Sequence, residues 1–182
     1  MSNHLARRSV LSGMAALMPM ASVLAAPRSD PKMDREAASA LRRLTAGNPA
    51  ARLLAGKALA VLGFPKIVKV GFLLGGAYGE GALRQDGRTI GYYNSSAGSY
   101  GLQAGAQWFG YALFFMNENA LKYLDESQGW EIGVGPSVVV VDQGMAKKMT
   151  STTVTQDVYA FVFGQQGIMA GLGIEGSKIT KI

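Results

Sequence analysis

The chain has 182 residues, of which 48% are hydrophobic, 16% charged, 24 glycine and none cysteine, with a formal net charge of +6. This composition excludes intrinsic disorder, a disulfide framework and a lipid anchor on cysteine. The only histidine is His4. A chain that loses its first residues therefore holds no Ser-His-Asp triad, no thiol nucleophile and no ordinary zinc site.

At the amino end, Arg7-Arg8 precede an apolar run from Val10 to Leu24 that closes on Val23-Leu24-Ala25-Ala26. A basic start, an apolar middle and a small-residue end predict a secretory signal, residues 1–25, cleaved after Ala25. Gly13 and Pro19 interrupt the run, which is also short for a membrane span. The paired arginines followed by Ser9-Val10-Leu11 resemble a twin-arginine signal, and Sec export stays open. Export places the protein in the periplasm or cell envelope, peripheral to a membrane. Loss of Arg7 and Arg8 leaves 16 Lys+Arg against 12 acids, a net charge of about +4 that suits anionic headgroups or acidic partners.

Residues 26–33 read as a linker, with Pro27 and Pro31 discouraging regular structure. A helix is predicted from Asp34 to Ala46, with Ala37, Leu41 and Leu44 on one stripe and Gly47 closing it. Asn48-Pro49 restarts a helix, because Asn caps the free amides and Pro fits the first helical position. Ala51, Leu54, Ala55, Ala58, Leu59 and Leu62 carry this second helix to about Leu62. Gly63-Phe64-Pro65 then breaks it, and the period changes to two. Val68, Val70, Phe72, Leu74 and Tyr78 alternate with Gly71, Gly75, Ala77, Gly79 and Gly81. The large face is expected to fill a core, while the small face lets the strand curve or another element approach.

Asp86-Gly87, within Arg84 to Arg88, predicts a hairpin turn. Strands follow at Thr89 to Ser95 and Gly101 to Met116, then a helix from Asn117 to Gln128 with Leu121 and Leu124 inward. A strand is expected from Trp130 to Val141, a turn at Asp142-Gln143-Gly144, and strands at Tyr159 to Phe163 and Ile168 to Ile174. Met145 to Val154 stays undecided. No linker divides residues 34–182, which read as one α+β domain: N-terminal helices packed on a strongly curved, mostly antiparallel, glycine-rich β-sheet.

Carboxylates are the remaining route to catalysis. Glu80, Glu131 and Glu175 each sit among glycine or apolar residues, where a partly buried carboxylate needs a partner. Pairing with Lys or Arg at a sheet rim is the leading reading, ahead of a calcium site, since the oxygen-rich spacing of a calcium loop is missing. Gly71-Phe72-Leu73-Leu74-Gly75-Gly76 lacks the spacing and the Gly-Lys-Ser/Thr ending of a nucleotide loop. No cofactor and no enzymatic activity are expected.

The basic residues are more informative. Between Ala37 and Gly79 there are six Lys or Arg and no acid. Arg42, Arg43, Arg52, Lys57, Lys66 and Lys69 are expected to gather at the helix-to-sheet junction, with Phe64 and Pro65 exposed between them. Cations around an apolar tip suit a bilayer interface, and Lys66, Lys69, Arg52, Lys57 and Phe64 form the candidate lipid site. Alternation puts Lys66 on the side of Val68 and Lys69 on the other. The aromatic series Tyr92, Tyr93, Tyr100, Trp108, Phe109 and Tyr111 reads as sheet core.

The sequence resembles the SYLF domain family. The resemblance rests on Asn48-Pro49-Ala50-Ala51, the run Phe64 to Phe72, Gly79-Glu80-Gly81, Gly91-Tyr92-Tyr93-Asn94 and Gly101-Leu102-Gln103-Ala104-Gly105. Gly129-Trp130-Glu131, Val138 to Asp142, Asp157 to Phe161 and Gly171-Leu172 through Lys178-Ile179 extend it across Ala37 to Ile182. It implies a lipid-binding module; eukaryotic members bind phosphoinositides, and some bind actin. This chain is similar to the bacterial, exported branch, where actin is not at hand. The expected partner is an anionic phospholipid membrane, with phosphoinositide-like headgroups as the model; nucleic acid is not expected. The rival reading is an envelope protein-interaction or structural component that docks through its glycine-rich sheet. A small outer-membrane barrel fits less well, given the helical first third and a last residue, Ile182, that is not aromatic.

Overall fold

The computed structural model describes residues 29–167, 174 and 176–182; the predicted signal and Glu175 lie outside them. Helix α1 spans Pro31–Gly47. Asp30 caps it, accepting hydrogen bonds from the Lys32 and Met33 amides at 3.1 and 2.9 Å. Pro31 thus opens the helix instead of extending a linker, because the first turn needs no amide donor from it. Helix α2 spans Pro49–Ala55, capped as expected by the Asn48 side chain. It stops at Gly56 and does not reach Leu62. The Ala58 amide still bonds back to the Leu54 carbonyl at 2.8 Å, but Leu59 donates its amide to the Phe115 carbonyl at 2.8 Å, so sheet pairing overrides the helical spacing from Leu59 to Leu62.

Two long strands follow, β1 (Ala60–Gln85) and β2 (Arg88–Phe115), joined at Asp86-Gly87. Both turn residues have positive φ, 49° and 78°, which matches the twist of a two-residue hairpin. β2 is one continuous strand, since Ser95 to Ser99 pair with Gly79 to Gly75 instead of turning. Pro65-Lys66 form a bulge, for Phe64 pairs with Tyr111 and Ile67 with Phe109. The extra residue reverses the alternation beyond it. Phe64 and Ile67 therefore both face inward, and Val70, Leu74 and Tyr78 turn outward. The expectation that these even positions fill the core is corrected on that ground.

The small inner positions do let the strand curl. A Cβ on Gly81 would stand 2.5 Å from the Gly63 carbonyl oxygen and 2.7 Å from Phe64, and one on Gly79 would strike the Lys66 carbonyl. The first half of β1 thus lies against its second half, with no room for a side chain at Gly79 or Gly81.

The remaining elements are α3 (Glu118–Glu126), β3 (Trp130–Glu131), β4 (Val138–Val140), α4 (Gln143–Lys148), β5 (Val158–Gly167) and β6 (Lys178–Lys181). The single strand expected from Trp130 to Val141 is broken at Gly133 and Gly135, whose φ values of 109° and 85° no strand adopts. Asp142 caps α4, taking the Met145 amide at 2.7 Å, and does not close a turn. The strand expected over Ile168 to Ile174 falls outside the described residues, apart from buried Ile174.

The six described strands form one sheet in the order β3-β6-β2-β5-β4, with β1 along the other edge of β2. Every pairing is antiparallel except β4 with β5. Folding the hairpin back creates two layers. The main core lies between them and includes Leu62, Phe64, Tyr93, Tyr111, Phe115 and Trp130. A second core joins Leu44 of α1 and Leu54 of α2 to Ala112, Phe114 and Phe161 on the outer face. Ala37 of α1 packs on Ala82 and Tyr92, while Leu41 packs over Gly63, 3.4 Å from where a Cβ would stand. Helix α1 thus spans both halves of β1. No helix among the described residues is long and apolar enough to cross a membrane.

Candidate functional site

The bulge at Pro65-Lys66 and the outward phase that follows it build an exposed apolar face. Leu74 is 67% exposed, and Val70 and Tyr78 are about half exposed. A two-residue period along one strand places them on the same side. Trp108 opposes Val68 across the ladder and is 39% exposed, which corrects its assignment to the core. Tyr92, Tyr93, Phe109 and Tyr111 are core residues as expected. The side chains of Phe72 and Tyr100 lie outside the described set.

Lys66 belongs to this face. Its ammonium stands 5.9 Å from the Trp108 ring centroid, within reach of the ring's negative face. A 420 Å³ hollow bounded by Pro65, Lys66, Trp108, Phe109, Gly164 and Gln166 opens beside it. Lys69 points the other way. It pairs in register with Gln107, a buried residue, so it sits at the rim of the inner face as the alternation required.

The other candidates do not join this face. Arg52 closes the α1–α2 corner, donating to the Thr45 and Ala46 carbonyls at 3.1 and 3.0 Å. Those carbonyls end α1 and lack helical partners, so a cation there is doubly favourable. Lys57 donates to the Ser151 carbonyl at 2.7 Å, tying the loop after α4 to the end of α2. Phe64 is fully buried, its ring 4.6 Å from that of Tyr111; the expected exposed tip is corrected to Trp108. Sequence reading missed Trp108, Leu74 and Val70 because one bulge decides which face they share.

The glutamates divide. Glu80 is half-buried and accepts a hydrogen bond from Tyr78 at 3.0 Å. Glu131 is exposed, since β3 turns Trp130 inward, and it pairs in register with Lys178. No group of three or more His, Cys, Asp and Glu among the described residues could hold a metal ion. The clearly shifted phenols are structural. Burial pushes Tyr93 up to about 12, with Asp125 adding to the effect. Burial also raises Tyr111, whose hydroxyl donates to Ser95 at 2.6 Å.

At Gly79 and Gly81 the glycine-bearing face is filled by the chain's own strand, which leaves a docking partner no room there. The SYLF resemblance holds over part of its expected span. Residues 96–181 match the family model described as Ysc84, Las17-binding protein actin regulator. Residues 37–95, which the resemblance also took in, lie outside that match. No curated protein matches the chain.

Proposed function

We propose that this chain, whose residues 96–181 belong to the Ysc84 (SYLF) family, is a non-catalytic module that attaches to anionic phospholipid surfaces in the cell envelope after losing residues 1–25. The observation that carries the reading is the outer face of the hairpin, where Val70, Leu74 and Tyr78 stand exposed along the strand that runs on from Lys66 and the Val68–Trp108 pair. Apolar side chains with an aromatic at their margin suit the acyl boundary, and the neighbouring cation suits the phosphates above it. Lys66 is the lipid-facing cation of the proposal, while Lys69, on the opposite side of the strand, contributes only at longer range.

Flotation with vesicles that are neutral, or that contain phosphatidylglycerol, cardiolipin or a phosphoinositide, tests the reading at two salt concentrations. Binding should require an anionic lipid and weaken as salt rises, because screening at about 0.15 M acts over roughly 8 Å. Equal recovery with neutral and anionic vesicles, or no binding to any, refutes it. Amino-terminal sequencing of the protein from an envelope fraction should begin near Ala26; an intact Met1 would refute export.

A further inference from the structure

We infer that the groove between the end of α1 and β5 takes an extended, acidic polypeptide segment, which adds as a strand to the open edge of β5. The inference does not rest on the membrane reading. β4 pairs with β5 only along Val158 to Ala160, and its last bond runs from the Val141 amide to the Ala160 carbonyl at 2.8 Å. Beyond it the chain turns away at Asp142 into α4. Backbone groups alternate sides along a strand, so Val162 presents its N–H and C=O where Ala160 does. The opposite side of β5 is occupied by β2. Among the described residues, neither backbone group of Val162 has a backbone partner on the open side.

A strand edge of this kind is a template for another chain, and here it opens into an 860 Å³ groove walled by Arg43, Leu44, Pro65, Val141 and Phe163. That volume lies within the range of roughly 300–1,000 Å³ that ligand sites occupy. β5 bulges just past Val162: Phe163 faces Gly110 while Gln166 faces Trp108, and Gly164 has a φ of 62°. The bulge limits regular pairing to the stretch at Val162 and leaves Gln165 and Gln166 exposed beside it.

The lining chooses the partner. Exposed amides and open backbone groups would go unpaired against an acyl chain, at a cost; a polypeptide backbone satisfies them. Arg43 stands on one wall, and Lys66 borders the hollow that shares Pro65, Gly164 and Gln166 with the groove. The one acid in the lining, Asp142, has its Oδ1 engaged by the Met145 amide. An incoming strand that carries acids therefore meets Arg43 on the wall of the groove and Lys66 in the adjoining hollow. Main-chain bonds would supply affinity, and alternate side chains specificity.

The test is titration of the ¹⁵N-labelled protein with the synthetic peptide acetyl-Asp-Thr-Val-Thr-Val-Thr-Asp-amide. The Val162 and Gly164 amide signals should shift saturably below millimolar peptide, and hydrogen exchange at Val162 should slow about tenfold. A peptide N-methylated at the two valines should bind at least about tenfold more weakly, for it loses the main-chain donors. Arg43→Glu, at an exposed helical site, should weaken the parent peptide by about tenfold with an unchanged melting temperature. The inference is overturned if Val162 does not respond, if the N-methylated peptide binds equally well, or if anionic vesicles protect Val162 and the peptide does not.

Discussion

Truncating Leu74 to Ala isolates the apolar part of membrane attachment from the electrostatic part. The substitution removes the equivalent of three methylene groups, each worth about 0.8 kcal/mol on full transfer from water. Leu74 is 67% exposed in the free protein, so about two-thirds of that gain remains to be made on insertion, roughly 1.5 kcal/mol or about tenfold in partition coefficient. Because the side chain buries little in the free fold, the melting temperature should move by no more than about 2 °C. Co-sedimentation with phosphatidylglycerol-containing vesicles, titrated in lipid, measures the partition coefficient directly. Ile90→Ala serves as the control, since Ile90 is half exposed but lies beside the hairpin turn, and it should leave partitioning unchanged. A Leu74→Ala protein that partitions within twofold of the parent, or an Ile90→Ala protein that is equally impaired, would refute the assignment of this face.

Lys66→Glu should weaken binding to anionic vesicles by about 2 kcal/mol, two charge units at about 1 kcal/mol each; Lys69→Glu, on the inner rim, should weaken it less and cost more in thermal stability. Equal effects on flotation would contradict the opposed faces. Gly81→Ala should cost about 1–3 kcal/mol through overpacking against the Gly63 carbonyl, lowering the melting temperature by roughly 3–9 °C. Gly98→Ala, with nothing within 4 Å, should be near neutral; a Gly81→Ala protein that melts with the parent would undo the account of the curl. Asp157 accepts from the Ser137 amide, the Asn117 side chain and the Ser137 hydroxyl, and these bonds hold its carboxyl below the usual range. A depressed folded value makes that stabilisation present above the unfolded pKa of about 3.9 and lost as pH falls through the folded one. Asp157→Asn should therefore lower stability at pH 7 and flatten its fall below about pH 4. Parallel melting-temperature curves for the two proteins would show the carboxylate to be idle.

Local signals carried much of this fold. Asn48 caps the helix it was expected to cap, Asn117 caps the helix expected to begin there, and Asp86-Gly87 makes the turn. Signals that depend on distant partners were not readable. Leu59 and Leu62 satisfy helical spacing, and only their partners Phe115 and Leu113 across the ladder show that they run with the sheet. The candidate site failed for a related reason. Pro65 has no amide to give a ladder, but among the described strands β1 pairs with β2 alone, so the strand tolerates it at a bulge and continues. That single extra residue puts Phe64 and Leu74 on opposite faces, where alternation alone would put both even positions on one. Arg52 and Lys57 could not be separated from Lys66 by charge, because their partners are backbone carbonyls that composition does not reveal.

The long hairpin also orders events in time. Its ladder starts at Gln85 with Arg88 and ends at Ala60 with Phe115, so each added pair closes over a loop that the previous pair has already shortened. Such a zipper starts fast, on the microsecond scale of hairpins, whereas pairing Ala60 with Phe115 unaided would carry the full loop entropy. Contact between the two halves of β1 can come only after the zipper has run, and α1 has no continuous surface to cross before then. Gly87→Ala should therefore slow folding, while Gly81→Ala should chiefly hasten unfolding, a division that the two arms of a denaturant chevron would record.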